Sequence, residues 1–556
     1  MLKGDQTGSE TRCALSGKIA ELHTGNFPQP NLPGLGQTYI FSRNRDIPSL
    51  TRYGRTADAS FPIDSELVRR LSSAITELTR EDAKGRTWRL IPAETGDKPD
   101  LFIVSLPPDV AAGGANAFVD DDDSEETLSG KPRLLELASR VIEHSEGHDS
   151  HGHAQAAMSV LVLRTVDPAN RKAIYHRPVR ADELFDAATR WDKAAANTPP
   201  SVKFHIWQKG KGAGAKLVRS GPPRVSPLSI TDLSREQFVD GGRRRVSLIG
   251  IPFAEAFSLF LHEGNFERRA LSMLRVLLQR HTALLLALSQ LARRGRSNQG
   301  KLYLEDFDPK ADLRLDALRS TAWIGALLYH LNRPKEVYMS SAGYRLGQIL
   351  AAADVVHIGY CADERGGQIP MTLIGNAVFA IAGSNPQRAL AILQERWKPY
   401  DAWAKDRPEL REKIDEIFGE SGRLKKNARA LRGSGKPEEA AKEEKKIAQT
   451  EAPGWAMLNG LSQARRLREL CSGLSGVFDH ADATDALKAE LLLGYMAGLP
   501  AERKPDDPQK ADGPVTPAQD DNSNDEDEGD NSERLIQQGH GTARHRCHQF
   551  QSQWRP

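Results

Sequence analysis

The stretch from Tyr344 to Trp403 leaves the chain little choice of local structure. Leu346, Ile349, Leu350, Ala353, Val356, His357 and Tyr360 recur at three- and four-residue spacing, with Arg345, Gln348 and Asp354 between them. That period predicts an amphipathic helix with one apolar stripe and the three polar residues on its other side. Such a stripe needs a partner, and one follows in sequence. Asn385 suits a helix cap and Pro386 the first helical position, Leu390, Leu393 and Trp397 line one face, and Pro399 is expected to end the helix. The stretch contains no acid/base pair, phosphate cradle or metal-ligand spacing, so it reads as scaffold.

The expected fold class is α+β, with a mixed α/β N-terminal half, a predominantly α-helical C-terminal half and a disordered acidic tail. In the first part, Tyr39–Phe41, Trp88–Ile91 and Leu101–Leu106 have strand composition, while Leu67, Leu71, Ile75 and Leu78 form a helical stripe. Residues 1–110 are therefore expected to form one α/β domain. Residues 111–158 read as a flexible insertion that is first acidic (Asp120–Asp123) and then rich in histidine (His144, His148, His151, His153). A β-β-α unit opens the segment 159–250: Val160–Thr165, Ala173–Tyr175, then a helix over Ala181–Trp191. Residues 251–420 are expected to be a helical domain with a basic face and 421–452 a charged linker. Residues 453–499 then form a last helical piece grouped with 339–420, and 500–556 the disordered tail.

Composition removes several classes of function. The four cysteines, Cys13, Cys361, Cys471 and Cys547, show no CxxC spacing, so neither a zinc site nor a disulfide framework is expected, and the cytoplasm is the expected compartment. The longest apolar run, Thr282–Leu288, is too short to cross a bilayer. The His-rich loop lacks the ordered surroundings of a zinc site, and no cofactor is expected. Lys209–Lys216 (KGKGAGAK) lacks the spacing and the hydroxyl residue of a phosphate-binding P-loop. The PD within Gly96–Asp100 has no downstream E-x-K partner, which leaves a metal- or carboxylate-dependent nuclease of a defence locus as the alternative reading.

The net charge of +2 hides a strong local imbalance. Between Arg243 and Lys301 stand Arg243, Arg244, Arg245, Arg268, Arg269, Arg275, Arg280, Arg293, Arg294, Arg296 and Lys301, against Glu255, Glu263 and Glu267. A helix over Glu267–Arg294 with a leucine stripe would push these arginines to its flanks and ends, within reach of phosphates. A solvated face normally mixes both signs, so nucleic acid is the expected partner. In the loop Asn26–Gln37, five prolines and glycines hold the backbone open and leave Gln37, Arg43 and Asn44 free to face a ligand; the same composition also suits a plain surface loop.

Several of these elements, in order, resemble one family. Cys13–Gly17 (CALSG), Leu32–Asn44 (LPGLGQTYIFSRN), Thr51–Gly54 (TRYG) with Phe61-Pro62, the YRLG helix from Tyr344, and Glu490–Tyr495 (ELLLGY) are similar to motifs of the large subunit of the type I-C CRISPR interference complex, Cascade. The resemblance implies a non-catalytic subunit that contacts the 5′ end of a guide RNA, reads the protospacer-adjacent motif and helps open double-stranded target DNA. It further implies a repeated backbone subunit and other Cascade subunits as neighbours, a separate helicase-nuclease recruited on target binding, and no membrane. The family's C-terminal helical part is also made as a separate small subunit from an internal start, for which Met339 and Met371 are the candidates here, Met339 being preferred because a start at Met371 would lose the YRLG helix.

Overall fold

The computed structural model describes residues 12–39, 61–93, 98–107, 114–119, 133–148, 156–166, 171–202, 204–209, 215–221, 224–233, 236–238, 244–246, 250–278, 301–303, 313–370, 372–405, 407–473 and 484–498. The architecture is α+β, with antiparallel sheet in the N-terminal half and helices in the C-terminal half. Two compact units divide the chain: one holds the residues up to Ala196 with Arg224–Gln237 and Arg244–Val276, the other holds Asn197–Pro223, Phe238–Arg243 and the chain from Leu277.

The first unit begins with a hairpin of β1 (Asn31–Leu32) and β2 (Gly36–Gln37). Its turn needs glycine at 34 and 36, where φ is +70° and +72°. Helix α1 (Ser65–Leu78) starts at Asp64, whose carboxylate accepts the Glu66 N–H at 2.9 Å. Strands β3 (Trp88–Ile91) and β4 (Asp100–Ser105) pair, the chain passes through α2 (Gly114–Val119) and α3 (Arg133–His148), and β5 (Ala156–Thr165), β6 (Arg171–Arg180) and α4 (Ala181–Ala195) follow. The sheet order is β3-β4-β5-β6, antiparallel throughout.

Both faces of this sheet are covered, which is why β4 (DLFIVS) is apolar without alternation. On one face Trp88, Leu101, Ile103 and Leu163 bury Leu32 and Leu35 of the hairpin, with Ile75 and Leu78 of α1 beside them. On the other, Phe102 meets Phe118 of α2 at 6.2 Å. At one end the buried Asp100 is held by Arg164 at 2.7 and 2.9 Å, a paired contact that a planar guanidinium is shaped to make. The outer strand β6 (RKAIYHRPVR) is charged and contains Pro178, both usual on a sheet edge.

Strands β7 (Phe204–Lys209) and β8 (Ala215–Gly221) belong to the second unit; α5 (Ser229–Leu233), β9 (Glu236–Phe238), β10 (Arg244–Val246), α6 (Phe253–Phe260) and α7 (Phe266–Leu278) come next. Phe253 and Phe260 of α6 complete the aromatic core of the first unit, against Phe102 (5.3 Å) and Trp191 (6.3 Å). In the second unit β11 (Lys301–Tyr303) pairs parallel to β7. The helices are α8 (Leu313–His330), α9 (Lys335–Tyr338), α10 (Ala342–Glu364), α11 (Ile374–Ala382), α12 (Pro386–Trp403), α13 (Pro408–Gly433), α14 (Pro437–Gly473) and α15 (Asp485–Ala497).

Helix α10 is the axis of this bundle, buried on nearly its whole circumference. A Cβ on Gly347 would overlap the Leu491 carbonyl of α15, and one on Gly494 of α15 would overlap the Tyr344 carbonyl, so the two backbones touch. Gly359 and Gly460 do the same between α10 and α14, with a Gly359 Cβ 2.8 Å from the Ala456 carbonyl. Asp354, 3 % exposed, lies inside this packing rather than on the polar side where its spacing placed it. Its Oδ1 accepts the Gly375 and Asn376 N–H groups (2.7 and 3.2 Å) and its Oδ2 the Tyr495 hydroxyl (2.6 Å). Helix α11 has no side-chain cap of its own, so a carboxylate from another helix caps it and faces the positive end of its dipole.

Other sequence expectations are corrected in the same way. Of the strand foreseen at Tyr39–Phe41 only Tyr39 is described, exposed and outside any strand, and 40–41 lie outside the described residues; the strand that is described precedes it at Gly36–Gln37, in a hairpin anchored by Leu32 and Leu35. Within the expected flexible insertion, α2 is ordered by burial of Phe118, and His144 and His148 lie on α3. Pro399 does not end α12, because the following turn buries Trp403 against Val356, Leu410 and Met457. The charged segment 421–452, expected as helix, linker and helix broken near Gly433–Pro437, has that order, its linker being only the short turn between Gly433 and Pro437. α13 and α14 fold back on each other about Gly435 (φ +75°), with Phe418 on Trp455 at 4.7 Å and Lys425 on Glu451 at 2.7 Å. Residues before Met339 hold those after it: Arg333 pairs with the buried Glu490, and the Tyr338 ring packs 5.8 Å from that of Tyr344. The expected tail, 500–556, lies outside the described residues.

Two outcomes follow from the packing of α10. Gly347→Ala and Gly494→Ala are each expected to destabilise the second unit by about 1–3 kcal/mol or more in urea unfolding, whereas Gly419→Ala, helical and open to solvent, should stabilise it by about 0.5–1 kcal/mol. Asp354→Ala should cost about 3 kcal/mol and Tyr495→Phe about 1 kcal/mol; a double-mutant cycle should return a coupling of at least about 0.5 kcal/mol.

Candidate nucleic-acid interface

Of the residues nominated for nucleic acid, Gln37, Arg268 and Arg269 have described side chains. Arg244 and Arg245 lie on β10 with only their backbone described, and Arg43, Asn44, Arg243, Arg293, Arg294 and Arg296 lie outside the described residues.

Gln37 is exposed at the end of the β1–β2 hairpin. Leu32 and Leu35 fix the hairpin from beneath, and from the edge strand Arg171 donates to the Leu35 carbonyl at 2.7 and 3.1 Å. An exposed amide on so firmly held a turn can present its donor and acceptor together to a base edge.

Arg268 and Arg269 sit in the first turn of α7, beyond a tight corner from α6. His262 (φ +63°) and Gly264 (φ +57°) make the corner, and Asn265 caps the helix by accepting the Arg268 N–H at 3.0 Å. A cation at a helix N-terminus opposes the dipole, so each arginine needs a further reason to be there. For Arg269 the reason is structural: it bonds Glu255 at 2.9 Å and the Glu263 carbonyl. Glu263 also holds Arg177, which in turn pairs with Glu183 at 2.8 Å. Arg268 is exposed and carries no ion pair among the described residues, which leaves its charge available to an outside anion. Among the described residues no hydrogen bond or ion pair links Gln37, Arg268 and Arg269 to one another.

The Arg177–Glu263–Arg269 network escaped the sequence reading because its members come from β6, the α6–α7 corner and α7. The alternation in Arg171–Arg180 is the signal that could have raised it. Burial against Phe253 and Phe257, with the Glu263 carboxylate nearby, pushes the Tyr175 phenol up to about 12, so it is a neutral packing group. Cys13, the first residue of the Cys13–Gly17 turn, is buried, which by itself raises a thiol. The Ser16 side chain and the Asp64 backbone N–H outweigh this and bring it down to about 7.

Nothing in this geometry assembles a metal cage: among the described residues no group of three or more His, Cys, Asp or Glu side chains is placed to hold an ion. Asp100, the carboxylate of the PD sequence, is occupied by Arg164. Arg269→Ala is expected to lower thermal stability by about 1 kcal/mol because it leaves Glu255 and Glu263 short of a partner, while Arg268→Ala should stay within about 0.5 kcal/mol of the parent. No protein-family model matches this chain, and no curated protein matches it either.

Proposed function

We propose that this chain is the non-catalytic large subunit of a CRISPR RNA-guided DNA surveillance complex. In that role it contacts the 5′ end of the guide RNA, recognises the protospacer-adjacent motif and helps open the target duplex. The observation that carries the reading is where the resemblance motifs lie. YRLG and ELLLGY, far apart in sequence, meet at Gly347 and Gly494, where two helix backbones touch. The CALSG turn is likewise bound to the Phe61-Pro62 element, through Ala14 N–H to the Pro62 carbonyl at 2.7 Å and Asp64 N–H to Cys13 Sγ at 3.4 Å. Motif residues that need each other sterically behave as the framework of one fold. The exposed Arg268 and the arginine-rich 243–301 segment supply the charge for phosphate backbone, and the fixed Gln37 the chemistry for base reading.

On this reading the partners are guide RNA, double-stranded target DNA, the repeated backbone subunit with other Cascade subunits, and a helicase-nuclease recruited after binding. The chain itself cleaves nothing, and the setting is the cytoplasm.

Coexpression with its gene neighbours is expected to yield a complex carrying a small RNA; a complex that forms free of RNA, or no complex at all, overturns the proposal. Target-duplex affinity of that complex should fall steeply with salt. Changing Arg243, Arg244 and Arg245 together to Ala should reduce the log–log slope by about 2.7. Gln37→Ala should lower discrimination between correct and incorrect motifs by about 1–3 kcal/mol while leaving binding to unrelated duplex unchanged.

A further inference from the structure

Helix α13 buries one side against α14 and leaves the other to solvent. Leu410, Ile414, Ser421 and Ala428 are buried, while Glu412, Asp415, Lys426 and Arg429 are exposed. With about 100° between successive residues, the row Glu412, Asp415, Gly419, Gly422, Lys426, Arg429 runs along the solvent side, its members three and four residues apart in turn. A Cβ on Gly419 or Gly422 would meet nothing within 4 Å. The helix thus presents two acids, two glycines and two bases to the outside, in that order.

Opposite charges on a helix usually stand three or four residues apart, where they can pair. Here Asp415 and Lys426 are eleven residues apart, about 16 Å along the axis, and Glu412, Asp415 and Lys426 carry no ion pair among the described residues. The helix dipole accounts for acids in a first turn and cations in a last one. Its effect is confined to those turns, and Asp415 and Lys426 each lie seven residues inside an end of α13. The order of the row reads the same backwards with the sign changed. About a point between Gly419 and Gly422, Asp415 mirrors Lys426 and Glu412 mirrors Arg429. That is the pattern of a surface complementary to itself under a two-fold rotation.

We propose that α13 pairs antiparallel with α13 of a second copy of this chain, in a two-fold contact centred on Gly419 and Gly422. Asp415 of one copy then faces the partner's Lys426 and Glu412 the partner's Arg429, so every charge of the row is opposed by its complement. The glycines let the two backbones approach at the centre, as Gly347 and Gly494 do inside the bundle. Nucleic acid is disfavoured as the occupant because Glu412 and Asp415 would repel phosphates along half of the row. An unrelated protein would need the reverse order of charge, which a second copy supplies by symmetry alone. A contact confined to one helix face lies at the small end of specific interfaces, below about 1,200 Å², so the pair forms reversibly and salt screens its charges.

The test is sedimentation velocity of the full chain, with and without nuclease treatment, at concentrations up to about 100 μM and at low and high salt. The parent is expected to dimerise as concentration rises and to dissociate as salt rises. Asp415→Lys and Lys426→Glu each set like charges against each other at two symmetric points, and each should weaken self-association by about tenfold. An equimolar mixture of the two variants should dimerise again, because every exchanged charge then meets an opposite one on the partner. Gly419→Leu, at an exposed position, should weaken the dimer without lowering thermal stability and serves as the second variant if a charge reversal does not fold. A parent that stays monomeric throughout overturns the pairing, as does a mixture of folded variants that associates no better than its components. A dimer unaffected by all three substitutions overturns it by placing the contact on another face. A dimer abolished by nuclease overturns it by assigning association to bridging nucleic acid. Self-association of the purified chain needs no guide RNA, so its outcome is read separately from the proposed function.

Discussion

Helix α10 can be the axis of the second unit only because its backbone comes into contact with other backbones. Gly347 and Gly494 let it lie against α15, Gly359 and Gly460 against α14, and Gly375 lets the start of α11 rest on the Leu350 carbonyl. At such distances few side chains fit between helices, so van der Waals contact of the main chains replaces the usual interlocking of large residues. Asp354 then settles the rotation of the helix. Its three hydrogen bonds reach α11 and α15 together, and turning α10 in place would leave a buried carboxylate, two N–H groups and a hydroxyl unsatisfied. Close contact makes the core small, and the carboxylate makes it unique.

The first unit reaches the same end differently. A central strand buried on both faces has no side of its own to give to function, so what can meet a partner lies at its margins: the β1–β2 hairpin, the edge strand β6 and the α6–α7 corner. Arg171 shows how these margins cooperate. It belongs to the edge strand yet fastens the hairpin by two bonds to the Leu35 carbonyl, so that Gln37 stands on a rigid support. A reading group held by neighbouring secondary structure loses less entropy on binding than one carried on a free loop.

What could be read from sequence was the period; what could not was the partner. The stripe from Leu346 to Tyr360, the Asn385-Pro386 start and the strands at Trp88, Leu101 and Val160 are local patterns, and the structure has them where the spacing put them. Asp354 was misplaced because its partners at 375, 376 and 495 are invisible to a helical wheel. Pro399 and Pro453 stand inside helices because tertiary burial outweighs one lost backbone bond in each. Leu410, Ile414, Ile417, Ser421, Leu424, Ala428 and Leu431 alternate by four and three, the heptad of a two-helix seam. Charge and small residues at that seam hid it. Among the site residues, sequence separated Arg268 from Arg269 in nothing but number. Only the positions of Glu255 and Glu263 show that one is tied into the fold and the other is not.

The contact between α10 and α15 also sets a clock. Asp354 and Tyr495 are 141 positions apart, and the glycine groove that receives α15 is complete on α10 long before its occupant exists. At a ribosomal rate of about 5–20 residues per second, that groove waits about 7–28 s for its occupant. During that interval the carbonyls and apolar flanks that meet α15 stay uncovered, while the pairs α10–α11 and α11–α12, and after them α13–α14, whose contacts are local, are able to form. The groove on α10 is therefore covered only when the last described helix of the bundle has been made.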